Sequence, residues 1–196
     1  MSKLIIDECL PAWDVELAEH RLVHAPVEAT WRAARDLDLL TVHTPLLDAA
    51  MWVRSLPDRI AGRPIPTPPK LTFGGDRPGL PGWVSLGQQE NHEIALGAVG
   101  KYWQPNIPWR DVPADEFTAF AEPGWGKIAT ALTTVPYGDG QTLLSYVCRT
   151  ATTDPQSRRR FSRYWWLVRP FVAYIMRATL RSIAADAEHA PATVDG

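Results

Sequence analysis

The stretch from Asp154-Pro155 to about Glu188 constrains this chain more than any other. Asp154 is a good helix N-cap, because its carboxylate accepts from the free backbone N–H groups of a first turn. Pro155 suits the first helical position, where its missing N–H costs nothing. Beyond them Phe161, Tyr164, Trp165, Val168, Phe171, Val172, Ile175, Ala178 and Thr179 recur at three- and four-residue spacing, which is one face of a helix. Arg158, Arg159, Arg160, Arg163, Arg169, Arg177 and Arg181 are interleaved. At roughly 1.5 Å per residue such a helix is about 50 Å long, and it needs a broad partner surface. Arginines at its start oppose the helix dipole, so a compensating charge is expected there. Pro170 removes one hydrogen bond and crowds the Trp166 carbonyl, so a kink is expected, more to curve the helix over a core than to free a carbonyl for a ligand.

The strands upstream can supply that surface. Residues 13–24 read as a first strand, with Trp13, Val15 and Leu17 on one face and Asp14 and Glu16 on the other. A short helix is expected from Pro26 to about Arg35, and a second one from Thr44-Pro45. Residues 57–82 hold seven prolines among glycines and read as a long loop, a candidate cover, with one short strand at 71–73. Strands then follow at 83–89, 93–103, 117–121, 125–135 and 141–150. Asn106 to Trp109 is a loop, and Tyr137-Gly138-Asp139-Gly140 is a strong hairpin signal. Strands in one block with short links pair antiparallel. Strands together and helices elsewhere give an α+β class, with about seven strands and two short helices after the first. The whole of 1–196 is expected to be one domain, with its core at about 13–188 and a loose tail from 190.

Composition excludes more than it names. The apolar fraction of 45% and charged fraction of 21% are those of an ordinary soluble protein. A net charge of −2 offers no field for nucleic acid, so no nucleic-acid partner is expected. Cys9 and Cys148 make no disulfide framework and fit a reducing cytosol. The first residues have no long apolar region and do not read as a signal peptide. The most apolar window, Tyr164 to Leu180, is interrupted by Arg169, Pro170 and Arg177, so no membrane span is expected. A cytoplasmic location follows as the expectation.

The order of elements resembles the helix-grip fold of the START-related superfamily, in its polyketide cyclase/dehydrase-like bacterial branch. The stretches that carry the resemblance are His20 to Trp31, Leu143 to Asp154 and Arg160 to Pro170. They are similar to the family's opening strand and helix start, its last strand, and its gripping helix. The resemblance implies a curved antiparallel sheet wrapped round the C-terminal helix, with an apolar cavity between them. It further implies binding of a lipid, sterol, polyketide or other hydrophobic small molecule, and in some members catalysis. Fold alone does not decide among these.

His20 and His24 would lie about 13–14 Å apart along a strand, too far to share an ion, so no metal site is expected. No nucleophile elbow and no phosphate loop is present, so no cofactor is expected. Acid–base work by buried side chains stays open. Glu93, Tyr102, Tyr146, Arg149 and Tyr164 stand where sheet and helix could face a cavity, although Arg149 could equally pair with an acid and the tyrosines could simply pack. Trp103, Trp125, Trp165, Val168, Phe171 and Ile175 are candidates for the lining. The expectation is a binding protein for a hydrophobic molecule. A cyclase/aromatase-type enzyme using a buried Tyr, Arg or Glu, and an interaction module with a filled core, are the alternatives. The arginines allow at most transient contact with anionic membrane.

Overall fold

A computed structural model describes residues 3–37, 82–104 and 106–190 of the chain. The elements follow as α1 (Ile5–Cys9), β1 (Val15–Val23), α2 (Val27–Asp36), β2 (Trp83–Gln89), β3 (Glu93–Gly100) and β4 (Trp109–Arg110). Then come α3 (Ala114–Phe117), β5 (Gly126–Pro136), β6 (Thr142–Thr152) and α4 (Pro155–His189). The strands form one open sheet in the order β1-β6-β5-β3-β2, with β4 added to β3, and every pairing is antiparallel. The first strand pairs with the last, from Val15 opposite Thr150 to Val23 opposite Thr142. This is an α+β fold with a long C-terminal helix packed on α2, β1 and β6.

The sheet is covered on both faces. On one, Ile94, Leu96, Leu132 and Leu144 pack with Trp31 and Ala34 of α2 and with Ala178, Leu180, Ile183 and Ala184 of α4. A smaller cluster joins Leu17 and Cys148 to Ala173 and Met176 of α4. On the other, Ala95, Val99, Ala129 and Ala131 pack under Ile6 and Leu10 beside α1 and under Phe117 of α3. Successive side chains alternate across the sheet, so even-numbered positions of β3, β5 and β6 face α4 and odd-numbered ones face α1 and α3.

Several expectations need correction. Among the described residues the sheet has six strands, where about seven were expected, and the expected strand at 71–73 lies outside them. Residues 117–121 are no strand: Pro113, Asp115 and Glu116 suit a helical first turn, and Phe117, fully buried, ends the four-residue α3. The strand at 93–103 stops at Gly100, because Tyr102 folds back over the sheet. A Cβ at Gly100 or Gly126 would stand 3.0 or 3.1 Å from the Tyr102 ring. Trp109, expected in a loop, pairs with Gly100 of β3. The short α1 has no counterpart in the sequence reading. The second short helix from Thr44, nearly all of the 57–82 loop and the tail past Ala190 lie outside the described residues. The expected hairpin at 137–140 is present, with Gly138 and Gly140 at φ of +61° and +69°.

The helix begins as the sequence predicts. Asp154 accepts from the N–H groups of Gln156 and Ser157, both at 2.9 Å, and from the Ser157 hydroxyl at 2.6 Å. It also accepts from the Gly124 N–H at 2.7 Å, which ties α4 to the turn before β5. The Ser157 hydroxyl and these backbone donors hold its carboxyl at about 2, below the ordinary 3.8. A depressed folded-state pKa contributes stability that is complete well above pH 3.8 and fades as the pH falls toward 2. Asp154→Ala should therefore lower the urea midpoint at neutral pH, and the gap from the parent protein should close at acid pH. An equal gap at both would show that the charged carboxylate is not what caps the helix.

Candidate functional site

The parity of the strands decides which sequence candidates meet α4. Tyr146 does: it packs against both clusters that hold α4 residues. Tyr102 lies over Gly126, which shares the α4 side with Ile128 of the same strand. Its hydroxyl donates to the Ala98 carbonyl at 2.7 Å. Burial raises both phenols well above their ordinary pKa, so both stay protonated at neutral pH. Cys148 stands two positions from Tyr146 on the same face. Burial pushes its thiol up to about 12, so it is a packed, unreactive group.

Glu93, Arg149 and Trp125 are on the face of the sheet away from α4. Glu93 is fully buried, and its two oxygens accept the N–H groups of Ile5 and Ile6 at 2.6 and 3.0 Å. It holds the first turn of α1. Arg149 bridges Asp7 of α1 and Glu16 of β1, both at 2.6 Å, and stacks 3.9 Å from the Trp13 ring centre. Pairing with acids is the plainer role expected for it. Trp125 joins the α1–α3 cluster, with Lys101 4.5 Å over its ring.

The remaining candidates lie on or beside α4. Trp165 stacks on Phe161 at 5.8 Å and packs against the Leu17–Met176 cluster. Trp103, beyond the end of β3, meets Phe161 edge-on at 6.5 Å. Tyr164, Val168, Phe171 and Ile175 form a continuous row at three- and four-residue spacing and are all half-buried. No α4 residue between Phe161 and Ala173 is fully buried, about three turns of helix. The helix is thus packed at its start and over its second half, and less tightly between.

Among the described residues, some buried polar atoms lack partners. The Trp103 indole N–H, the Thr130 hydroxyl and the Thr134 hydroxyl are among them. Thr130 is 4% exposed and stands between Cys148 and Leu96 on the α4 side of the sheet. The sequence signal for it was weak, because a threonine in a strand reads first as a β-former. Open clefts flank α4. One of about 550 Å³ is lined by Trp103, Gln104, Arg160, Arg163 and Tyr164. Another of about 460 Å³ is lined by Val15, Ser162, Trp165, Trp166, Arg169 and Pro170. Among the described residues, no group of three or more His, Cys, Asp or Glu side chains is placed to hold a metal ion.

No family model matches the chain, and no curated protein matches it. Solved structures do. Protein Ms6760 from Mycobacterium smegmatis aligns at 14% identity over 87% of this chain and 88% of its own, with a TM-score of 0.40. Protein CV1439 from Chromobacterium violaceum aligns at 15% identity over 88% and 97%, with a TM-score of 0.37. The Zhui aromatase/cyclase from a Streptomyces species aligns at 11% identity over 89% and 93%, with a TM-score of 0.34. Overlaps this loose carry no weight for chemistry.

The two faces make separable demands. Glu93→Ala strands two backbone donors and opens a cavity on the α1 side, and should cost about 2–4 kcal/mol in urea unfolding. Affinity for an apolar fluorescent probe should not change beyond what stability explains. A selective loss of probe binding in protein that is still folded would return Glu93 to the site.

Proposed function

We propose that this chain binds a hydrophobic small molecule or lipid between its sheet and α4, in the manner of a helix-grip domain. The observation that carries the reading is the Thr130 hydroxyl, buried and without a partner in the middle of the α4-facing surface. A buried hydroxyl left unpaired costs about 1–3 kcal/mol. A ligand with an acceptor oxygen would take its hydrogen and be oriented by it. The half-buried row Tyr164, Val168, Phe171 and Ile175 supports the same reading, as apolar surface left short of full burial. Burying ligand carbon against such a surface supplies roughly 25 cal/mol per Å². The polar contacts then set orientation while the apolar area sets affinity.

The cyclase/aromatase alternative gains less support. Glu93 and Arg149 are committed on the opposite face. The phenols Tyr102, Tyr146 and Tyr164 are all raised by burial, so they act as hydrogen-bond donors rather than bases at neutral pH. A filled-core interaction module leaves the Thr130 hydroxyl unexplained.

Native mass spectrometry of protein purified from its own host, followed by solvent extraction, tests the reading directly. A co-purified apolar molecule supports it and names the ligand class. Two substitutions then test the placement. Thr130→Val should stabilise the empty protein by about 1 kcal/mol and weaken an acceptor-bearing ligand about five- to tenfold. Phe171→Ala should change affinity more than the outward Arg181→Ala. Equal effects of the last two in a binding titration would put the ligand elsewhere.

A further inference from the structure

We propose that the outer side of the first half of α4 docks on anionic lipid bilayers. Trp166 is 82% and Leu167 72% exposed, far above Trp13 at 41% or Leu22 at 37%. They are neighbours on a helix, about 100° apart, and together form a convex apolar ridge. Arginines surround it: Arg159, Arg160 and Arg163 come before, Arg169 after. All four are exposed, and among the described residues none of them makes an ion pair. The acids on and beside β1, the strand on which α4 packs, are already engaged. Asp14 pairs with Arg158 at 2.9 Å, Glu19 with Arg177 at 3.5 Å, and Glu16 with Arg149.

Charge is segregated along the chain as well. From Pro155 to Ala185 α4 contains no Asp or Glu, although the protein as a whole carries −2. A local cationic field on a net acidic protein points to a local partner, not to general attraction of polyanions. The cleft lined by Trp103, Arg160, Arg163 and Tyr164 opens on the same stretch. Two guanidinium forks and an unpartnered indole N–H suit one phosphate headgroup. The apolar ridge decides for a bilayer over a nucleic acid or an acidic protein. Trp and Leu side chains standing free among arginines match the interface, where apolar groups enter the headgroup boundary and guanidinium groups meet phosphate. No described helix is long and apolar enough to cross a membrane, so the contact is peripheral. The ridge of Trp166 and Leu167 shares no residue with the proposed ligand site, so either reading can fail alone.

The test is flotation of the full chain with vesicles of phosphatidylcholine alone and with added phosphatidylserine. The expected result is binding to the anionic vesicles only, falling as salt is raised. Trp166→Ala with Leu167→Ala should weaken it about tenfold or more. Arg159→Gln with Arg163→Gln should weaken it about fivefold per arginine. Arg181→Gln, outside the patch, should leave it nearly unchanged. The substituted side chains are exposed, so urea midpoints should not move. Absence of binding to anionic vesicles overturns the proposal. So does equal binding to both kinds of vesicle, or anionic binding that ignores Trp166 and Leu167 and is competed by duplex DNA. That last outcome would make the patch a site for polyanions in general.

Discussion

The Asp154 carboxylate is the contact on which the arrangement depends. One side chain caps the first turn of α4 and accepts from Gly124 before β5, so the helix start and the central hairpin share an anchor. Asp14 does similar work beside it, accepting from the Thr152 N–H at 2.8 Å while pairing with Arg158. Between them the two acids bind β1, β5, β6 and α4 at one end of the sheet. They also supply the negative charge that a helix opening with three consecutive arginines requires. With its start fixed, α4 has one direction in which to cross the sheet, and the packing of Ala173, Met176 and Leu180 follows from it.

The sequence was legible where one physical period ruled alone. The α4 cap, its first proline and its inward face were readable because three- and four-residue spacing persists over 35 residues. The hairpin at 137–140 was readable because two glycines take positive φ there. The sheet's two-sidedness was not. Every residue of β3 is buried, so the strand has no polar face to orient it. The cause is α1, five residues long and too short to show a period, which with Phe117 of α3 covers the face away from α4. Without α1 in view, Glu93 and Arg149 could be assigned to either side. The acids that decide the role of Arg149 lie far off in sequence: Asp7 and Glu16 are 142 and 133 residues away.

The tryptophans divide in the same way. Trp31 and Trp125 are core residues, at 5% and 9% exposure, as bulk apolar side chains in strands and helices usually are. Trp165 and Trp166 are adjacent, yet one stacks on Phe161 above the sheet and the other stands in solvent. A 100° step along a helix is enough to separate these fates. Periodicity could place Trp165 on the inward face. It could not show that Trp166 and Leu167 would find no cover, because that depends on how wide the sheet is beneath them.

The middle of α4 ties these observations together. The helix is anchored at Asp154 and Phe161 and again from Ala173 onward, and no residue between is fully buried. Pro170 falls inside this interval and withholds one helical hydrogen bond from Trp166. Local stability follows buried apolar contact and intact backbone bonding, so this interval is the weakest part of a helix held firmly at both ends. Half-buried side chains face inward along it, and the exposed ridge of Trp166 and Leu167 stands on its outer side. An interior that must admit an apolar molecule needs a segment that yields without unfolding the sheet. A surface that meets a bilayer delivers such a molecule best where that segment lies. On the proposed readings both fall on the same three turns.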